Sequence, residues 1–206
     1  MQTSYYLGID QGTTGTTSIL FNGNLDICGK GYAEHKQYFP KPGWVEHDPD
    51  EIWLKVKESV TIALQQAELK PSDIRALGLA NQGETCMVWD KNTGKPVYNA
   101  IVWQDRRTSV SSDKLREQHG DLIRQKTGVQ VDAYFSALKI KWILDNINDG
   151  WKRAERGELL AGTLDTWLIW KLTGGEVYMT DPSTASRTML YNLYDREWDE
   201  EILTII

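Results

Sequence analysis

The run Leu7-Gly8-Ile9-Asp10-Gln11-Gly12-Thr13-Thr14-Gly15-Thr16-Thr17-Ser18-Ile19-Leu20 constrains this chain more than any other. Apolar segments flank a Gly/Thr-rich turn, so the chain must leave a strand at a carboxylate, reverse tightly and return as a second strand. A phosphate site needs donors crowded into a small concavity. Glycines let backbone N–H groups approach, and threonine hydroxyls add further donors. Asp10, at the strand end, offers a hard oxygen ligand of the kind required by the Mg²⁺ that accompanies nucleotide phosphates. The candidate phosphate-binding residues are therefore Gly12, Thr13, Thr14 and Gly15, with Asp10 at the metal. Taken alone, the same residues describe an ordinary hairpin with a polar loop equally well. No G-x-x-x-x-G-K-S/T occurs and no G-x-G-x-x-G opens a helix, so P-loop and Rossmann readings have no support.

The rest of the chain sets bounds on what such a hairpin can serve. At 206 residues there is room for one good-sized core or for part of a larger protein. A net charge of −6 argues against a nucleic-acid surface or an anionic membrane as partner. Cys28 and Cys86 lack metal-ligand spacing, and a disulfide between them is possible but unforced. With no signal-peptide pattern and no long apolar run, the expectation is a cytoplasmic protein with free thiols. His35, His47 and His119 are too scattered for a zinc motif and read as surface or structural residues. Of the nine tryptophans, Trp53, Trp142, Trp167 and Trp170 sit in helical patterns and read as core. Trp103 lies in the charged stretch Trp103-Gln104-Asp105-Arg106-Arg107 and is the candidate site aromatic.

Strands are predicted over Tyr5–Asp10, Thr16–Phe21 and Leu25–Tyr32, with Asn22-Gly23 turning the second pair. A helix should start at Asp48 as N-cap, with Pro49 at the first position and Glu51 completing a capping box. Ile74–Ala80 reads as a short buried strand that runs into Asn81-Gln82-Gly83-Glu84-Thr85, and Cys86–Trp89 as the returning strand. Ala100–Trp103 should be extended, and Ser111–His119, Asp121–Thr127, Ala137–Asn146 and Thr163–Thr173 helical. This order describes an α/β domain with a mixed sheet flanked by helices. The final apolar run, Ile202-Leu203-Thr204-Ile205-Ile206, is expected to pack against something outside these residues.

A phosphate loop held between two strands resembles the first phosphate motif of the actin-like ATPase (ribonuclease H-like) superfamily. Further local matches are more specific. Asp10-Gln11-Gly12-Thr13-Thr14, Pro42-Gly43-Trp44-Val45-Glu46-His47-Asp48-Pro49 and Asn99-Ala100-Ile101-Val102-Trp103-Gln104 resemble the FGGY carbohydrate kinase family, and its glycerol kinases above all. So do Thr166-Trp167-Leu168-Ile169-Trp170-Lys171 and Ala185-Ser186-Arg187-Thr188-Met189-Leu190, while Tyr134–Asn146 satisfies the family's first signature. The matches run from about residue 6 to residue 204.

The resemblance implies ATP and Mg²⁺ as cofactors, a small polyol as substrate, and a homo-oligomer, a dimer, for the complete protein. It implies that Asp10 holds Mg²⁺ through water and that Thr13 and Thr14 donate to phosphate. Glu84 and Tyr134 would hydrogen-bond polyol hydroxyls, Trp103 would pack on the carbon skeleton, and Gln82 and Gly83 would complete the substrate site. Glu84 also follows a strand, where α/β sheets place ligands. Two departures stand out: Gly83 where glycerol kinases usually carry arginine, and Thr17 where the hairpin commonly carries Arg or Lys. Glycine removes charge and leaves space, which points to a larger polyol or sugar as an alternative to glycerol. The family's base aspartate and its adenosine-binding domain correspond to no position here, so residues 1–206 are expected to be most of the N-terminal domain and inactive alone. A non-catalytic half-kinase that binds polyol or phosphate is the alternative. A ribonuclease H-like nuclease would need a basic face that this composition lacks.

Overall fold

The computed structural model describes residues 4–206. In chain order the strands and helices begin with β1 (Tyr5–Gln11), β2 (Gly15–Phe21), β3 (Ile27–Glu34), β4 (Glu46–His47) and α1 (Pro49–Gln66). Next come β5 (Ile74–Asn81), β6 (Cys86–Asp90), β7 (Ala100–Ile101), α2 (Ser109–Thr127), α3 (Ser136–Asn146) and α4 (Gly150–Glu155). The last are β8 (Leu159–Thr163), α5 (Leu164–Leu172), α6 (Pro182–Ala185), β9 (Tyr191–Asn192), β10 (Glu197–Trp198) and α7 (Glu200–Ile205). They form two compact units, Met1–Gln37 with His47–Gln82 and Tyr38–Glu46 with Gly83–Ile206.

The first unit is a mixed sheet of order β3-β2-β1-β5, with β1 antiparallel to β2 and parallel to β5. Helix α1 begins as its sequence dictates: Asp48 accepts from the N–H groups of Asp50 and Glu51, and Pro49 fits the first turn. The reciprocal half of the capping box is absent, because the Glu51 carboxylate accepts from the Lys36 N–H at 3.0 Å. Ile52, Val56, Ser59, Ala63 and Leu64 form the buried stripe. Two corrections concern the strands. Leu25 adopts φ 67° inside a turn tied by the Asn22 side chain to the N–H groups of Asn24 and Asp26, so β3 starts only at Ile27. Strand β5 is mostly exposed, not buried, because it is the sheet's edge and pairs on one side only.

The second unit has a sheet of order β4-β7-β6-β8, to which Glu46 of β4 belongs, and β6 is antiparallel to both β7 and β8. The two helices predicted on either side of Gly120 are one, α2, since a glycine inside a helix costs only about 1 kcal/mol. Helix α2 stops at Gly128, which takes φ 73°. The chain's final run does not lie idle. Asp199 caps α7 at the Ile202 N–H, and Ile202 is fully buried with Leu115, Ile123, Phe135 and Met189, while Ile205 and Ile206 pack against the same cluster.

Helix α1 lies very close to β3, and glycines make this possible. A Cβ on Gly31 would overlap the Ser59 carbonyl oxygen, and one on Gly29 the Ala63 carbonyl oxygen. Backbone on both sides leaves nothing soft to yield, so the cost is that of overpacking or more. Gly31→Val should lower stability by roughly 3 kcal/mol or abolish folding of the first unit. Urea unfolding curves check this, and a change below about 0.5 kcal/mol contradicts the close packing.

Two of the three histidines are buried in the first unit. His35 Nε2 and His47 Nδ1 are 3.3 Å apart, with the rings edge to face. Burial lowers the pKa of both, that of His47 to about 3 with the neighbouring His35 adding to the effect. Below the ordinary value of 6.5 the unfolded chain takes up a proton that the folded His47 refuses. Stability should therefore fall as pH drops from 6.5 towards 3, by up to about 1.4 kcal/mol per unit for this group. Thermal midpoints recorded between about pH 7 and pH 5 should show a smaller decline for His47→Gln than for wild type. Equal slopes contradict the assignment.

Candidate functional site

The hairpin predicted to bind phosphate joins β1 to β2 in the first unit. Gly12 N–H donates to Gly15 O at 2.9 Å, which closes the turn. The glycines serve space here, not left-handed backbone: a Cβ on Gly15 would lie 2.7 Å from the Ala33 carbonyl oxygen and 2.8 Å from the Tyr32 hydroxyl. Asp10 and Thr14 are exposed and Thr13 is half-buried. Asp10 stands opposite Thr17 in the strand register, and the two line an open groove with Gly8, Gly78 and Ala80.

Beneath the turn, two buried amides act as a strut. Gln82 Nε2 donates to Gln11 Oε1 at 3.0 Å and to Gly12 O at 3.3 Å, and Gln11 Nε2 donates to Gly12 O at 2.9 Å. The Gln82 backbone N–H adds a bond to Gln11 O at 3.1 Å. Gln82, expected at the substrate, thus directs its amide nitrogen to the hairpin, with His47 Nδ1 a further neighbour at 3.4 Å.

The second unit gathers the other expected residues. Glu84 is buried in the turn that leads into β6, and its Oε1 accepts from Arg187 Nε at 2.6 Å. Burial, and then the adjacent Glu84 carboxylate, push the Tyr134 phenol above its ordinary pKa. The Trp103 and Tyr134 rings meet edge to face at 5.7 Å, and the Trp103 N–H donates to Thr85 Oγ1 at 3.2 Å. A carboxylate, a phenol and an indole therefore form one contiguous wall of side chains, where a carboxylate can accept hydroxyl protons and aromatic faces can meet C–H groups. The space left by Gly83 is not open. A Cβ there would sit 3.3 Å from Arg187 Cγ, so the arginine stem already occupies it.

This wall is backed by residues that the sequence did not single out. Lys139 is wholly buried, donates from Nζ to Tyr134 O at 2.6 Å, and has its pKa lowered by burial to about 8. Asp132 caps the turn at the Tyr134 N–H and pairs with Arg106 at 2.6 Å. In the segment that follows Trp103, the fully buried Arg107 guanidinium pairs with Asp105 at 2.8 Å and Glu46 at 2.7 Å. Glu46 lies in a stretch that resembles the family and Asp105 and Arg107 in the charged stretch after Trp103, yet nothing in composition marks these charges as buried.

Mg²⁺ is implied for the hairpin by the sequence. Among the described residues no group of three His, Cys, Asp or Glu could hold a metal ion. The exposed Asp10 suits an ion of the kind that takes one or two carboxylates and fills its remaining positions with water and substrate phosphate. No helix of the described residues is long and apolar enough to cross a membrane.

Comparison with known proteins follows the same lines. The profile of the FGGY family of carbohydrate kinases, N-terminal domain, matches residues 5–206. A glycerol kinase of Bacillus cytotoxicus is 52% identical over 204 residues, covering 98% of this chain and 41% of that relative. Glycerol kinase 2 of Thermotoga maritima is 54% identical over 203 residues, with the same shares. Among solved structures, Plasmodium falciparum glycerol kinase with ADP superposes with a TM-score of 0.92 at 35% identity, covering 98% of this chain and 40% of that one. Gluconate kinase of Lactobacillus acidophilus shares the fold, with a TM-score of 0.84 at 24% identity over 98% of this chain and 39% of that one. The chain thus spans about two fifths of the length of the relatives it matches. It belongs to the FGGY family of carbohydrate kinases, whose N-terminal domain residues 5–206 match.

Proposed function

We propose that the complete protein is an ATP-dependent polyol kinase of glycerol kinase type, to which this chain contributes the phosphate hairpin and the polyol wall. The observation that carries the reading is the wall formed by Glu84, Tyr134 and Trp103, which suits a small molecule rich in hydroxyls. Identity of 52% to a glycerol kinase, running across both this wall and the hairpin, supports it.

In this reading a primary hydroxyl oxygen attacks the γ-phosphorus in line. The new O–P bond forms as the bond to the bridging oxygen of ADP breaks, and the hydroxyl proton passes to a base outside these residues. Glu84 and Tyr134 orient the acceptor through its other hydroxyls, and Trp103 covers its carbon face, so that the reacting oxygen is held in one direction. Backbone N–H groups of the turn beyond Gly12, whose own N–H closes it, and the hydroxyls of Thr13 and Thr14 cradle phosphate oxygens, with the Gln11–Gln82 strut holding the turn in shape. Mg²⁺, when bound beside Asp10, neutralises charge on the phosphates. A cytoplasmic setting and a dimeric complete protein belong to the same proposal. The test is ATP-dependent phosphorylation of glycerol, erythritol and ribitol by the complete protein. Activity best on glycerol supports the glycerol kinase reading, activity best on a longer polyol moves the substrate, and ligand binding with no turnover leaves a non-catalytic binder.

Asp10→Ala in the complete protein should reduce kcat by about two orders of magnitude or more. Its exposed position predicts an unchanged thermal midpoint. Activity within a few-fold of wild type, with the same Mg²⁺ dependence, reduces the hairpin to a structural element.

A further inference from the structure

Arg187 stands in the one-turn segment Ser186–Thr188 that follows α6. Its guanidinium is held on three sides. Nε donates to Glu84 Oε1 at 2.6 Å, and the group lies 5.8 Å from the Tyr134 ring centroid and 5.2 Å from that of Phe135. The two members of the ion pair differ in access, the Glu84 side chain being 8% exposed and that of Arg187 38%.

An arginine carries five N–H donors in a planar fork, and here the carboxylate takes only the one on Nε. Glu84 is the one ion-pair partner of Arg187 among the described residues, and the Tyr134 hydroxyl is the other polar group against it. The terminal nitrogens are therefore not consumed by a bidentate pair. Gly83 makes the approach possible, since a Cβ there would come within 3.3 Å of Arg187 Cγ and 3.8 Å of its Cβ. A Cβ at position 83 would require the arginine stem to give by a few tenths of an ångström.

We propose that Arg187 is a substrate-binding and specificity-determining residue of this site, donating from its terminal nitrogens to hydroxyl oxygens of the polyol, and that Gly83 is the space that admits it. The inference rests on the polyol kinase reading above. A hydroxyl is both donor and acceptor, and Glu84 can serve only its proton. Arg187 serves the oxygen, so a polyol with adjacent hydroxyls is bound from both ends of the same ion pair. Tyr134, in contact with both charged groups, fixes the pair's orientation.

The experiment uses the complete protein as wild type, Arg187→Gln, Arg187→Lys and Gly83→Ala, with glycerol, 1,2-propanediol and 1,3-propanediol as acceptors. Arg187→Gln should raise KM for glycerol roughly 10- to 100-fold, the effect of losing a charge-assisted hydrogen bond, with kcat changed about threefold at most. On the diol that lacks the contacted hydroxyl the same substitution should raise KM less than about threefold, since that bond is already missing. Arg187→Lys, which keeps the charge but not the fork, should fall between, and it carries the test if the glutamine variant does not fold. Gly83→Ala should raise glycerol KM in the same substrate-dependent way. Unchanged glycerol KM in the Arg187 variants, or one equal penalty on all three acceptors, overturns the inference while leaving the kinase reading intact. Wild-type protein inactive on glycerol here, and on erythritol and ribitol in the assay of the kinase reading, overturns that reading, and the inference with it.

Discussion

The second unit is organised around a cation that has no exposed surface. The Arg107 guanidinium bonds both oxygens of Asp105 and one of Glu46, and it lies flat over Trp44 at 3.8 Å and near Trp142 at 4.6 Å. Glu46 is satisfied in turn by Tyr98 and Asn99, and Asp105 by the Val45 N–H. A buried charge tolerates no missing partner, so the segment around Trp44–Glu46 and the segment from Tyr98 to Arg107 are obliged to meet in one register. Trp103 lies two residues before Asp105 in this segment, its ring edge to face with Tyr134.

The hairpin of the first unit solves a different problem. The Gly12 N–H closes the turn on Gly15 O, and the rest of its shape is held from below. Gln11 and Gln82 provide that support, buried at the ends of the paired strands β1 and β5, with carbonyl and amide groups matched. Gly15 adds the close approach of β2 to β3. What remains outward at the turn, the exposed Asp10 and Thr14, is the part that can meet a ligand.

Much of this was legible in the sequence where one residue decides a local structure. The carboxylate and Gly/Thr turn located the hairpin, and Asp48-Pro49 located the start of α1 to the residue. Legibility failed where tertiary context decides. Gly120 looked like a break and lies within a continuous helix, because helix packing outweighs a weak local preference. Strand β5 is apolar enough to suggest burial but is an edge strand. The stretch holding Asp105 and Arg107 was legible only as charged, because composition cannot reveal that opposite charges such as those of Arg107 and Glu46, 61 residues apart in sequence, will be buried together. The resemblance alone implies a substrate role for Gln82, and its side-chain amide bonds Gln11 and Gly12 of the hairpin.

The two cysteines differ in a way that makes the units separately observable. Cys86, at the start of β6, is wholly buried, and burial raises its pKa to about 12. Cys28, in β3 of the first unit, is a free and partly accessible thiol. Thiolate is the reactive form, so an alkylating reagent meets a native molecule with one reactive position and a hidden one. Labelling at Cys86 reports opening of the second unit and labelling at Cys28 does not. The chain thus carries its own covalent clock for local unfolding, readable peptide by peptide without any engineered probe.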